Sequence, residues 1–359
     1  MKISIITPTN NPVYLKQLEE TVLAQTYQDW EWVILLNNGA HYQGSDDPRI
    51  RVKHYPGTCR AVGRLKKAAS DICTGEVIAE VDHDDMITPD CLQKLAEAFA
   101  DPEVGFAYSD NAKLLENAVF TPYLREAGWE YKFFEWKGQK LYSMICQPLY
   151  PGRLGYIWFA PDHIRAWSKS VYDSIGGHNE EMEICDDQEL MHRLYMATRF
   201  RYIPEVLYIY RISGHNTWMK RDTEIQELNM RLYDRHINNL AERFAEINGL
   251  EIIDLEDYVT ADPCIDCNDD KAGVVYAYGI IDKAFNRDAL MKEIHRVLAP
   301  GGLLISESKG GEHMNEGWFR KYTDPASARR AGNNNLFRRC RIGTRMNIIT
   351  AHLEKLPNI

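Results

Sequence analysis

The 359-residue chain has no apolar run approaching the ~20 residues that a membrane-spanning helix needs. It has no excess of positive charge either. Its 42 Lys and Arg face 52 Asp and Glu, for a formal net charge of −10. That argues against a general nucleic-acid binder and leaves room only for a local basic patch. Internal repeats and low-complexity tracts are absent. The eight cysteines, at 59, 73, 91, 146, 185, 264, 267 and 340, are scattered. In a chain long enough to bury its own core, reduced thiols are expected rather than a disulfide framework. Cys264-Ile265-Asp266-Cys267 lacks the second pair that a zinc site normally needs. The opening Met1-Lys2-Ile3-Ser4-Ile5-Ile6 is too short for a signal peptide and soon meets Pro8. The expectation is a first strand in a cytoplasmic protein, peripheral at most to the inner face of a membrane.

What is present is ordinary globular usage, with 45% hydrophobic and 26% charged residues, which excludes a disordered chain. The length predicts about two domains. Residues 2–6 read as a strand, and Asn10-Asn11-Pro12 as the start of a helix carrying Leu15, Leu18 and Val22. Trp32-Val33-Ile34-Leu35-Leu36 is a continuous apolar run, as in a strand buried on both faces. It ends at the turn signal Asn37-Asn38-Gly39. Residues 60–73 read as helix. Val77 to Val81 is another strand, running straight into Asp82-His83-Asp84-Asp85, and Thr88-Pro89 opens the next helix. Alternating strands and helices imply a mostly parallel sheet, whose ligands bind beyond the carboxyl ends of the strands. Both polar clusters, at 37–38 and 82–85, fall at such ends.

Three carboxylates in four residues repel one another unless a cation joins them, and hard oxygen ligands suit Mg2+ or Mn2+. As a lone triplet, Asp-x-Asp is also compatible with a solvated acidic turn. The wider pattern is more specific. Ile3 to Asn11, Gly75 to Asp85, Ser174-Ile175-Gly176-Gly177-His178-Asn179-Glu180, Cys185-Asp186-Asp187-Gln188-Glu189-Leu190 and Tyr202 to Arg211 follow one another in order. Over residues 1–220 this resembles the inverting family 2 glycosyltransferases of the GT-A fold.

The resemblance implies a metal-dependent enzyme. It would move a sugar from a nucleotide sugar, of UDP-glucose or UDP-galactose type, to a hydroxyl of a glycan or glycoconjugate acceptor. Pro8, Thr9, Asn11, Asn37, Lys66, Asp82 and His83 would bind the donor. Asn37 stands where the family usually has an aspartate at the uracil edge, and Lys66 would reach the base or the phosphates. Asp84, with Asp82 and His215, would hold the metal, and Asp85 would support the site. Asp187 would be the general base, with Asp186 beside it. The aromatic stretch 127–167 fits a sugar platform, with Trp158, His163 and Trp167 as acceptor-side candidates.

The expected architecture is α/β: a GT-A, Rossmann-like domain over 1–221, a helical linker at 222–247 and a smaller, incomplete α/β domain over 248–359. Leu290 to Leu304 resembles the later half of class I S-adenosylmethionine-dependent methyltransferases. Residues 221–270 hold a single glycine, Gly249, and so lack that fold's glycine-rich cofactor loop. The unit is expected to act as a scaffold, in acceptor docking or in a homodimer. The rival readings are a non-catalytic sugar-nucleotide binder and a bifunctional glycosyltransferase–methyltransferase.

Overall fold

The computed structural model describes residues 1–116, 129–214, 216–255, 263–310, 314–324 and 337–357. The chain divides into two compact units. The first holds residues 1–148 and 157–232, the second 149–156 and 233–359.

The first unit is built on ten strands: β1 (Ile3–Thr9), β2 (Trp30–Leu36), β3 (Ile50–His54), β4 (Val77–Glu80), β5 (Met86–Ile87), β6 (Val104–Leu115), β7 (Glu130–Trp136), β8 (Gln139–Ile145), β9 (Arg165–Ser168) and β10 (Arg199–Ile212). They form one sheet in the order β3-β2-β1-β4-β9-β6-β10-β5, with β8 paired to β6 and β7 to β8. The first four are parallel. β9 then runs antiparallel between β4 and β6. All seven residues of β2 are buried, as its unbroken apolar run requires of a strand covered on both faces. Helices Leu15–Leu23 and Cys91–Ala98 supply Leu15, Leu18, Val22, Leu92 and Leu95 to the core against Ile3, Ile5, Trp32 and Ala79.

The first helix starts later than the Asn-Asn-Pro signal predicts. Thr9 Oγ1 accepts from Asn11 N–H (2.9 Å) and Asn11 Oδ1 from Val13 N–H (3.3 Å), so a turn occupies the predicted first helical turn. Because β1, β2 and β4 are parallel, Thr9, Asn37 and Asp82 emerge at one edge of the sheet.

The second unit carries β11 (Glu251–Asp254), β12 (Ala272–Tyr278), β13 (Leu298–Lys309), β14 (Phe337–Arg345) and β15 (Ile348–Lys355), in the order β11-β12-β13-β15-β14. Helix Arg287–Val297 packs Leu290, Met291 and Ile294 on one sheet face. The predicted linker is a helix, Asp222–Asn248, and much of it is core. Tyr233, Ile237 and Ala241 are buried against Val274, Leu303 and Ile305. The same unit takes up the short segment 149–156, whose Arg153 pairs with buried Glu354 at 3.0 Å. Arg296 donates to the carbonyls of Ile265 and Cys267 (3.0 and 2.9 Å), so the Cys-x-x-Cys loop is held by a guanidinium. No described helix is long and apolar enough to cross a membrane.

Candidate active site

A cleft of about 1590 Å³ opens at the edge where Thr9, Asn37 and Asp82 emerge. Pro8, Thr9, Asn11, Asn37, Lys66, Asp82, His83, Asp84, Trp158, His163, Asp186 and Asp187 all line it. Segments more than 170 residues apart in sequence therefore meet in one cavity. Trp167 does not line it. This ring is buried on β9 and stacks on Tyr172 at 5.5 Å, which places it in the core. His215 lies outside the described residues.

The loops after β2 and β3 are locked to each other. Asn37 Nδ2 donates to the Cys59 carbonyl (2.8 Å), and Asn38 Oδ1 accepts from the Cys59 N–H (3.1 Å). Two side-chain amides thus clamp the backbone of one residue, Cys59. Asn37 keeps one further N–H and one lone pair for a ligand.

The acidic turn has two faces. The Asp85 side chain is buried and accepts from the Arg211 backbone N–H at 2.6 Å, fixing the turn to β10. Burial, then repulsion from Asp84 and Asp82, pushes the Asp85 carboxyl well above its ordinary range. Burial and Asp82 likewise raise Asp84, against the pull of His83. Asp82 and Asp84 offer their carboxylates to the cleft. This donor set of crowded, hard anionic oxygens fits a divalent cation.

Glu80, Asp82 and His163 also bring ligand atoms within 4.8 Å of one another. A cation already serves that cluster. Arg165 Nη2 lies 3.1 Å from Glu80 Oε1 and 2.8 Å from His163 Nε2. A guanidinium only donates, so Nε2 accepts and the ring proton sits on Nδ1. Burial, and then Arg165, lowers the His163 pKa and keeps the ring neutral. With Nε2 3.5 Å from Asp82 and the ring stacked on Tyr208, His163 belongs to the acidic turn rather than to the acceptor side.

Beneath the cleft lies a buried charge lattice. Lys66 Nζ pairs with Glu80 (2.8 Å) and Asp186 (2.9 Å); Arg165 pairs with Glu80 (3.1 Å) and Asp187 (2.7 Å). Lys66, expected at the base or the phosphates, is instead 6% exposed and engaged by two carboxylates.

Asp186 and Asp187 head helix Asp186–Ala197, behind Cys185 in the left-handed region at φ 54°. Their fates differ. Asp186 is buried against Lys66, and burial raises its pKa to about 6. Asp187 keeps 22% of its side chain exposed to the cleft. Burial would raise it too, but Arg165 and Lys66 outweigh that and hold it below the usual carboxylate range.

Sequence reasoning missed Glu80 and Arg165. The available signal was Glu80 itself, a charge in the otherwise apolar run Val77 to Val81. A buried carboxylate there requires a cation from elsewhere.

Gly63 shows how tightly the segment before Asp186 and Asp187 is fitted. An added Cβ would lie 2.1 Å from the Asn179 carbonyl oxygen, and Gly63 N–H donates to Met182 O at 3.0 Å. Gly63→Ala is expected to displace the segment leading into Asp186 and Asp187, costing about 1–3 kcal/mol in denaturant unfolding. Turnover should fall more than donor affinity does.

Residues 4–146 match the family model described as Glycosyl transferase family 2. Over those residues the first unit is similar to family 2 glycosyltransferases, and its mixed α/β sheet agrees with the expected GT-A type of fold. The chain is 24% identical over 239 residues to a chondroitin synthase of Escherichia coli, covering 63% of this chain and 31% of that protein. It is 22% identical over 229 residues to a hyaluronan synthase of Pasteurella multocida, covering 61% of this chain and 21% of that protein. It thus spans about a third of the first relative and a fifth of the second. The crystal structure of S. aureus TarS aligns at 16% identity and TM-score 0.48, over 69% of this chain and 42% of that one.

Proposed function

We propose that the chain transfers a sugar from a nucleotide sugar, of UDP type, to a hydroxyl of a glycan or glycoconjugate, with inversion. One observation carries this reading. The acidic turn and the partly exposed Asp187 share one cleft and are joined through Glu80 and Arg165. A charged leaving group and a base therefore have fixed places relative to one another. The two relatives named above are both synthases of polysaccharides, which supports a glycan acceptor.

In this mechanism Thr9, Asn11 and Asn37 border the nucleotide, while Asp82 and Asp84 would hold a divalent cation that offsets diphosphate charge. Asp187 accepts the proton of the acceptor hydroxyl as its oxygen attacks the anomeric carbon from the face opposite the leaving diphosphate. Arg165 orients that carboxylate and keeps it ionised. The neutral His163 leaves the acidic turn its negative charge. Trp158, whose indole N–H is buried and without a partner among the described residues, stands at the acceptor side against Trp218. We assign the second unit a scaffolding or acceptor-docking role.

The test is thermal stabilisation by a panel of nucleotide sugars, with Mn2+ and with chelator. A donor at ~100 times its dissociation constant should add about 2.7 kcal/mol. The shift should appear for one nucleotide class and vanish with chelator. No shift with any donor would sink the reading.

A further inference from the structure

The cleft wall continues outward along the sheet as a row of side chains in register. Tyr210 on β10 stands opposite Lys113 on β6, Lys113 opposite Tyr142 on β8, and Tyr142 opposite Phe133 on β7. Partners in register point to the same face. Adjacent strands are ~4.8 Å apart, so the row runs about 14 Å from its first strand to its last. Its inner end belongs to the cleft, which Tyr210, Lys113, Met144 and Trp129 help to line. There Lys113 is buried, its ammonium 4.1 Å from the Tyr210 ring centre and 3.2 Å from Asp162, so the accessible surface of the row resumes at Tyr142.

The outer end is open. Phe133 is 59% and Tyr142 41% exposed, with their ring centres 5.1 Å apart. Lys140 lies over Phe133, 4.0 Å from its centre. The opposite face of this hairpin is anchored: Trp136 and Leu141 pack with Met86, Ala112 and Ile209. The exposed pair therefore does not serve the core of its own unit. Large apolar rings held in solvent by a well-packed hairpin mark a binding surface. Exposed rings with the Lys140 ammonium beside them suit a ligand with apolar C–H faces and a hydroxylated rim, which is a saccharide. A second copy adding a strand at β7 is disfavoured, because Glu130, Lys132 and Glu135 charge that edge.

We propose that the exposed Tyr142–Phe133 pair, at the outer end of this row, is a rail for an extended acceptor saccharide, so that the enzyme acts on a chain of several sugars rather than on a small aglycone. This rests on the transferase reading for the word acceptor. Binding at the rail can be tested separately.

The full chain and Phe133→Ser/Tyr142→Ser are applied to a printed array of glycans from monosaccharides to long oligosaccharides. Thermal shifts with UDP-sugars and Mn2+ are recorded in parallel. Both side chains are exposed, so the variant is expected to melt with the wild type, and Phe133→Trp serves as the conservative control. The expected result is retention of saccharides of about three units or more by the wild type and by Phe133→Trp. Loss should be about tenfold or greater in the double variant, with donor shifts unchanged. Equal glycan binding by the double variant overturns the rail, as does a wild type that retains nothing longer than a disaccharide. Rail-dependent glycan binding without any donor shift would keep the rail and reject the transferase reading instead.

Discussion

Asp187→Asn is expected to lower turnover about 10²–10⁴-fold while leaving the thermal shift given by the nucleotide sugar intact. The amide keeps the shape and still accepts from the Gln188 N–H, which Asp187 Oδ1 binds at 2.8 Å. It loses the ability to take a proton from the acceptor. Asp186→Asn should do less to turnover, since that carboxylate is buried against Lys66 and does not reach the cleft as freely. The pH profile gives an independent check. Arg165, helped by Lys66, holds Asp187 below the ordinary range, so the acidic limb of kcat/KM should lie below that of a free carboxyl. Arg165→Met removes the nearer cation, and the limb should move to higher pH as the Asp187 pKa rises. Turnover that survives Asp187→Asn, or an acidic limb that stays put in Arg165→Met, would mean that another group removes the proton.

Much of the first unit could be read from the chain because its strands obey simple rules. The run Trp32 to Leu36 is apolar at every position because β2 is covered on both faces. The turns after β2 and β4 are polar because parallel strands end together. The polar clusters that line the cleft were legible for the same reason, each lying at the end of an element. What stayed hidden was long-range pairing. The sequence pattern shows Lys66 on a helix face and says nothing of Glu80, fourteen positions later in another element, so a buried strut reads like a ligand contact. Trp167 was indistinguishable from a platform ring, since a period-two strand pattern does not reveal which face meets the core. The role of 149–156 was equally invisible. Arg153 finds its partner 201 positions away, at Glu354, and no local signal marks a segment that leaves one unit for another.

The buried lattice makes the second large prediction. Lys66→Met is expected to cost about 3–5 kcal/mol of stability, the usual penalty for leaving a buried charge without its partner. Glu80 would retain Arg165. Among the described residues Asp186 would keep His178, 3.8 Å away, a ring whose pKa burial lowers even without the lysine. The pH dependence fixes the cause. Burial already raises Asp186 from 3.8 to about 6 with the lysine present. A carboxyl raised on folding binds its proton more tightly in the native state. It therefore costs stability above its folded value, and that cost is relieved as pH falls from about 6 towards 3.8. Without Lys66 the folded value rises further. Acidification from neutral pH should then stabilise the variant by more than it does the wild type. Lys66→Met/Asp186→Asn should recover part of the loss and flatten this dependence, and the double-mutant cycle measures the coupling. Donor affinity separates the strut from the ligand contact that the sequence pattern implied. A strut variant that still folds should keep most of its nucleotide-sugar affinity. A lysine that reached the phosphates would instead lose donor binding while its unfolding midpoint stayed with the wild type.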